Sequence, residues 1–230
     1  MNGQKKNRIS VVIRSKNEEH WLNACLFAVV NQDYPDIEVV LVDNDSTDRT
    51  VEIAVSYGCK IINIPSGQFN YSSALNMGIE ATSGEFIAIV SAHCVPSDDQ
   101  WLARLAMHFR SDKIAASYGR QLPLSDSHPA DKRDLWTTFG QDRKIQKRDY
   151  FFHNANSMIR HSAWKKLSFN EEIHGVEDRD WAKKILRQGF SIVYEPTARV
   201  FHHHGIHHSA NEERAARVVR VIELIQQDLT

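Results

Sequence analysis

The stretch Glu85-Phe-Ile-Ala-Ile-Val-Ser-Ala-His-Cys-Val-Pro96 reads as a buried strand that carries a polar tip, Ser91-Ala92-His93, into a cleft. Phe86 to Val90 is an unbroken apolar run, which suits a strand covered on both faces in a parallel sheet. Ser83-Gly84 before it and Pro96 after it mark its ends. In an open α/β sheet, ligands bind beyond the carboxyl ends of the strands, so the tip of a central strand is where chemistry is expected. A strand end that merely carries a histidine is the plainer reading, and only the company His93 keeps elsewhere in the chain outweighs it.

Outward from this strand, apolar runs alternate with amphipathic segments, which predicts an α/β domain with a mainly parallel sheet flanked by helices. Ile9 to Ile13 is strand-like, and Asn17 is placed to cap a helix from about Glu18 to Asn31, whose Trp21, Leu22, Cys25, Leu26, Val29 and Val30 recur at helical spacing. Ile37 to Val42 is a second strand, followed by Asp43-Asn-Asp-Ser-Thr-Asp48 and a helix to about Tyr57 that Ser46 or Thr47 can cap. Lys60 to Ile64 reads as a third strand and Tyr71 to Thr82 as a helix. After the organising strand come a helix burying Trp101, Leu102, Leu105 and Phe109, and a strand near Ile114 to Tyr118. Leu122 to Tyr150 lacks clean periodicity and is expected to be a lid, a binding loop or partly helical. Asn154 to Arg160 reads as a strand, Val176 to Gln188 as a helix, and Ser191 to Tyr194 and Arg199 to Phe201 as short closing strands. These form a first domain over residues 1–208. Residues 209–230 read as an amphipathic helix that packs on the domain, pairs with a second copy, or contacts a membrane surface through Arg214, Arg217 and Arg220.

The composition bounds the function. With 28 Lys and Arg against 29 Asp and Glu, the 230-residue chain has no basic stripe of the kind nucleic acid requires. Three separated cysteines without a CxxC pair predict buried thiols in a reducing compartment, hence the cytoplasm. Met1 to Arg8 is polar and basic with no apolar run behind it, so neither a signal peptide nor a membrane span is expected.

Four polar clusters stand at strand ends or in the loops after them: Arg14 to Glu18, Asp43 to Asp48, Ser91 to His93, and Gly175-Val-Glu-Asp178. Together on one rim they describe a cleft for a polar ligand. His202-His-His-Gly-Ile-His-His208 follows a strand, so alternate side chains face opposite ways and only some can share a metal with His93; a solvated histidine-rich turn is an equal reading. Imidazoles with ligand oxygens would suit Mn, Co or Zn better than Mg. Glu177-Asp178 opens a helix, where first-turn acids are ordinary; the functional alternative is a general base that takes a proton from an acceptor hydroxyl.

From about Ile9 to His204 the chain resembles the family 2 glycosyltransferases with the GT-A fold, a Rossmann-like arrangement found in nucleotide-diphospho-sugar transferases. The resemblance lies in Ile9 to Glu18, Val42-Asp-Asn-Asp-Ser-Thr-Asp-Arg-Thr50, Ala74-Leu-Asn-Met-Gly78, Gly175 to Asp178, and Ala198-Arg-Val-Phe-His202. It implies transfer of a sugar, usually with inversion, from a nucleotide-sugar donor to a glycan acceptor, as in the synthesis of a surface or capsular polysaccharide. It further implies that Ser15, Glu18, Asp43, Asn76, Ser91 and Ala92 lie against the donor, and that Asp178 is the catalytic base. His93 and His202 become ligands of a divalent cation, Mn2+ or Mg2+, and His153 and Asn156 acceptor contacts. Most relatives carry Asp-x-Asp where this chain has Ser91-Ala92-His93. The polypeptide N-acetylgalactosaminyltransferases carry Asp-x-His followed by Cys, similar to His93-Cys94 here. With both acids absent, cation binding that is weak, dependent on donor phosphates, or lacking all stay open, as does a donor with a single phosphate. Two rivals remain: a nucleotidyltransferase that makes the activated sugar, although Arg14 to Glu18 has no glycine for its phosphate loop, and a noncatalytic nucleotide-sugar or metal-binding module.

Overall fold

The structure, a computed structural model, describes residues 7–173 and 175–203; the helix expected over 209–230 and the histidines beyond His203 lie outside these residues. A nine-stranded sheet runs in the order β3 (Lys60–Asn63), β2 (Ile37–Asp43), β1 (Ile9–Ser15), β4 (Phe86–Ser91), β8 (Asn156–Arg160), β6 (Ile114–Pro123), β9 (Ser191–His202), β5 (Cys94–Pro96), with β7 (Lys144–Gln146) also paired to β9. Its first half is parallel and built as expected: β1 (Ile9–Ser15), β2 (Ile37–Asp43), β3 (Lys60–Asn63) and β4 (Phe86–Ser91) lie side by side. The helices α1 (Glu19–Val30), α2 (Thr50–Ser56) and α3 (Tyr71–Glu80) connect them.

The unbroken apolar runs follow from two hydrophobic layers, one on each face of this sheet. Ile9, Val11 and Ile13 of β1 and Phe86, Ala88 and Val90 of β4 enter one layer, with Leu22, Cys25, Leu26 and Val29 of α1. Val12, Ile87 and Ile89 point the other way, onto Ala74, Leu75 and Ile79 of α3. Successive side chains of a strand alternate between faces, so a strand buried on both sides has no polar position to spare until it ends.

The second half is mixed rather than parallel throughout. After β5 (Cys94–Pro96), α4 (Trp101–Ala106) and a 3-10 turn at Met107–Arg110, strand β6 (Ile114–Pro123) extends well past Tyr118. Strand β8 (Asn156–Arg160) runs antiparallel between β4 and β6. The aperiodic stretch before it holds α5 (Pro129–Thr138) and β7 (Lys144–Gln146). Only Asp131 of α5 is buried and Trp136 is 56 % exposed, so this helix has no apolar stripe to betray it. Helices α6 (His161–Lys166) and α7 (Glu177–Arg187) cover the second layer with Ala163, Trp181, Ala182 and Ile185.

The two closing strands expected from the sequence are one strand, β9 (Ser191–His202), interrupted by a bulge. Against β6, Gly119 pairs with Glu195 and Arg120 with Arg199, so Pro196 to Ala198 are looped out of the ladder, where a proline's missing N–H costs nothing. The other edge of β9 carries β7 at Ile192 to Tyr194 and β5 at Val200 to His202. Glu195, fully buried at the bulge, accepts hydrogen bonds from Thr197, from Arg143 Nε at 2.7 Å, and at 2.9 Å from His108 Nε2.

No helix among the described residues is long and apolar enough to cross a membrane. Cys25, Cys59 and Cys94 are buried free thiols. Burial pushes Cys25 and Cys94 well above the usual range and Cys59 up to about 11, so none is a thiolate at neutral pH.

The bulge is held by a close approach that leaves no room for a side chain at Gly119. A Cβ there would stand 1.9 Å from the Ala198 carbonyl oxygen and 2.6 Å from Asn156 Nδ2. Gly119→Ala is therefore expected to destabilise the fold by about 3 kcal/mol, since backbone rather than a pliable side chain must give way; urea unfolding of the variant beside the parent protein measures this.

Candidate active site

The site is built where β1, β2 and β4 end. Arg14 of β1 is in register with Ser91 of β4 and Val42 of β2, and Ser15 with Asp43. Past these positions both loops turn back through left-handed residues, Asn17 and Asp45, each with φ of 53°. Asparagine and aspartate tolerate that region best among residues with a side chain.

The two loops are laced together rather than capped separately. Asn17 does not cap α1; its Oδ1 accepts the Thr47 N–H at 2.8 Å, while its own N–H donates to Ser46 Oγ at 2.9 Å. Neither Ser46 nor Thr47 caps α2, which begins only at Thr50. Asp48 serves both helix starts, accepting from Glu19 N and Thr50 N at 3.0 Å each, and Glu19 Oε2 accepts Arg49 N at 3.0 Å. Short side chains drawn to local caps in isolation reach across to the neighbouring loop here, because the parallel register holds the two loops side by side.

Asp43 is 2 % exposed and accepts from Ser15 Oγ at 3.3 Å, Ser46 N at 2.9 Å and Ser46 Oγ at 2.5 Å. Its carboxylate is thus fixed in place at the β1 and β2 ends. Glu18, at the start of α1, accepts from Thr50 nothing but gives its backbone N–H to Thr50 Oγ1 at 2.7 Å, and its carboxylate Oε1 lies 2.7 Å from His93 Nδ1. The side chain expected at a donor is therefore joined to a candidate metal ligand.

His93 stands in the turn between β4 and β5, and β5 pairs antiparallel with the end of β9, where Cys94 faces His202. The two imidazoles stack with centroids 5.2 Å apart and planes 9° from parallel. His202 Nδ1 is 2.7 Å from Gln121 Oε1, an acceptor, so it carries the proton; the Glu18 carboxylate assigns the same tautomer to His93. Imidazoles that bind metals through Nε2 are commonly oriented in this way, by an acceptor on Nδ1. The pair fits a borderline cation to that extent, yet among the described residues no group of three His, Cys, Asp or Glu side chains is placed to hold a metal. A cation here would need oxygens from a ligand.

Asp178 lies in the first turn of α7, after Gly175 at φ 89° has turned the chain. Its Oδ1 accepts Arg179 N at 2.8 Å and its Oδ2 accepts Asn154 N at 3.3 Å. Burial raises its carboxyl above the ordinary aspartate value, against the pull of those two N–H groups and the Arg179 and Arg14 charges. A partly exposed carboxylate raised by its surroundings is a poised proton acceptor. A chain of contacts connects it to the rest: Asn154 is next to Ala155, whose carbonyl accepts Ser91 N at 3.4 Å, and Glu177 beside it pairs with Arg14 at 3.3 Å.

Asp43, His93, Asp178 and His202 are therefore carried to one rim by β1, β2, β4, β5, β9 and α7. Ser15 and Ser91 are on the same rim, and half-buried His153, whose Nδ1 accepts Ala155 N at 3.3 Å, precedes β8 beside it. Three expectations need correction. Ala92 has no exposed surface and packs with the core instead of facing a donor. The Asn76 amide is spent on the 164–171 segment, accepting from Trp164 Nε1 and Phe169 N and donating to Phe169 O and Glu171 Oε1. Asn156, fully buried, accepts from Trp101 Nε1 at 2.8 Å and donates to the carbonyls of Arg120 and Ala198, leaving nothing for an acceptor. Conversely, Gln121 and Asn154, which orient His202 and Asp178, carry no signal in the sequence because their roles depend on strand pairing.

The chain is similar to known proteins over most of its length. The O-antigen chain rhamnosyltransferase RfbN of Salmonella typhimurium is 27 % identical over 210 residues, covering 86 % of this chain and 67 % of its own. A dolichyl N-acetyl-alpha-D-glucosaminyl phosphate 3-beta-D-2,3-diacetamido-2,3-dideoxy-beta-D-glucuronosyltransferase of Methanococcus voltae is 34 % identical over 211 residues, covering 83 % and 65 %. The solved mannosyltransferase PcManGT of Pyrobaculum calidifontis, in complex with GDP-Man and Mn2+, superposes with a TM-score of 0.72 at 19 % identity, over 94 % of this chain and 64 % of its own. The chain thus spans about two thirds of the length of these proteins. The sequence model described as glycosyl transferase family 2 matches residues 10–168, ending before Asp178 and His202. On that match, and with the fold to go with it, the chain belongs to glycosyl transferase family 2.

Proposed function

We propose that this chain catalyses inverting transfer of a sugar from a nucleotide-sugar donor to a glycan acceptor, in the cytoplasm and in the synthesis of a surface polysaccharide. The observation that carries the reading is Asp178: a carboxylate raised by burial, held by two backbone N–H groups, on the same rim as the buried Asp43. Similarity to a rhamnosyltransferase and a glucuronosyltransferase, and to a mannosyltransferase solved with GDP-Man, supports the donor class.

In this reading Asp43 and Ser15 receive the base and ribose of the donor, and the Ser91 hydroxyl meets the ribose or a phosphate. Asp178 takes the acceptor hydroxyl proton as the acceptor oxygen bonds to the anomeric carbon and the bond from that carbon to the leaving phosphate oxygen breaks. Inversion follows from attack opposite the leaving group. His93 and His202 would hold a cation through Nε2, with Glu18 and Gln121 fixing their rings. Such a cation supplies positive charge where the leaving nucleotide becomes more negative. Two imidazoles favour Mn2+ over Mg2+ in that position.

Two measurements test the base. Asp178→Asn is expected to lower kcat by about 10^3-fold while leaving the donor Kd nearly unchanged, because the amide keeps the shape and loses the basicity. Unaltered turnover would refute the assignment. The same variant is expected to be more stable, with Tm raised by about 2 °C at pH 8. An acid with a raised folded pKa keeps a proton that the unfolded chain has lost, so stability falls as pH climbs from the ordinary carboxylate range through the raised value. The gain in Tm should accordingly vanish at acid pH, which differential scanning calorimetry at two pH values reads directly.

The cation is tested by chelation. Treatment with EDTA should abolish turnover, and Mn2+ should restore it at lower concentration than Mg2+. His93→Ala should raise the Mn2+ concentration needed for half-maximal activity by at least about tenfold.

A further inference from the structure

Arg14, the last but one residue of β1, has a part in this site that the motifs do not assign. Its guanidinium donates to the Tyr71 carbonyl at 3.2 Å, lies over the Tyr71 ring at 5.0 Å, and meets Glu177 Oε1 at 3.3 Å. The side chains of Arg14 and Glu177 are 17 % and 6 % exposed. Arg14 is also in register with Ser91, so one cation spans from the strand that faces the donor to the helix turn that holds Asp178.

A buried ion pair is a poor means of merely joining a strand to a helix. Well-packed apolar residues hold such a contact as firmly, whereas removing one partner leaves the other charged and uncompensated. What Arg14 adds is a positive charge that offsets the Glu177 carboxylate next to Asp178. Burial and the neighbouring Asp178 carboxylate both push Glu177 upward, and Arg14 opposes them; Arg14 likewise acts downward on Asp178. The stronger positive charge on Asp178 is Arg179, from α7 itself, whose guanidinium lies over the Phe151 ring at 5.0 Å. Tyr71, at the start of α3, is a second titratable side chain in contact with Arg14, and the Asn154 amide adds a neutral dipole toward Glu177.

We propose that Arg14 is a positioning residue for glycosyl transfer, its pairing with Glu177 keeping the adjacent Asp178 ionised and correctly placed to accept the acceptor's proton. Adjacent carboxylates in a dry site hold one proton between them unless a cation lets both ionise. For Glu177 that cation is Arg14, in direct contact with it. The inference rests on the reading of Asp178 as the base.

The test follows the titration of Asp178 in the free protein by carbon-13 NMR of aspartate-labelled samples, with its signal assigned by loss in Asp178→Asn. In Arg14→Met the midpoint is expected to rise by about one pH unit. Arg14→Lys should return most of that shift. The double variant Arg14→Met with Glu177→Gln loses cation and competing anion together and should titrate near the parent. It also lacks the unpaired buried charge, so it carries the test if Arg14→Met does not fold. Hydrolysis of UDP-GlcNAc, GDP-mannose or dTDP-rhamnose, whichever the parent turns over, should show the same displacement in the acid limb of kcat/KM. A midpoint unmoved in Arg14→Met, or a double variant displaced as far as a full unit, overturns the proposal. Full hydrolysis by Asp178→Asn would instead overturn the base reading, whatever Arg14 does.

Discussion

A strand covered on both faces can meet water, or a ligand, only at its ends. That constraint organises this protein: Phe86, Ala88 and Val90 enter one hydrophobic layer and Ile87 and Ile89 the other, and polarity begins at Ser91. The same rule acts on β1 and β2, which are in register with each other and, for β1, with β4. Three apolar strands in step must therefore run out at the same level, and the side chains that follow them form a common rim. The candidate residues are gathered by burial first and by their own interactions second.

Those interactions then fix the rim. Loops that follow parallel neighbouring strands have backbone N–H groups without ladder partners, and here they satisfy one another. Asn17 serves Thr47, Asp48 serves Glu19, and Asp43 serves Ser46. These loop bonds lie at or near the surface, where each adds on the order of 1 kcal/mol and their joint effect is to hold the two loops in register. The histidines are treated alike, each ring oriented from behind by a fixed acceptor, Glu18 or Gln121. Much of what surrounds the candidate base and the imidazoles is thus already positioned by the fold.

How far the sequence could be read follows the range of the interactions. The parallel half was legible because its information is local: apolar runs, helical spacing and the polar residues just after each strand. Asp43, His93, Asp178 and His202 stood out as polar positions at or near strand ends for the same reason, while the roles proposed for them came from the family resemblance. What depends on register across the sheet was not legible. The bulge at Pro196 to Ala198 breaks the pairing but not the apolar pattern cleanly, so one strand read as two. Helix α5 turns almost nothing inward and so has no periodicity. Asn76 and Asn156 sit in plausible polar motifs, yet both amides are consumed by backbone and tryptophan partners distant in sequence. Arg14 and Glu177 each belong to a recognisable cluster, but nothing local says that they touch across 163 positions.

The three cysteines have a practical bearing. Each is enclosed in the fold with its thiol held protonated at neutral pH, which leaves native sulfur unreactive toward mild alkylating reagents. A single cysteine introduced on the outward side of α5, for instance at the exposed Trp136, would then be the selective point of attachment for a fluorophore, with no need to strip the native residues first.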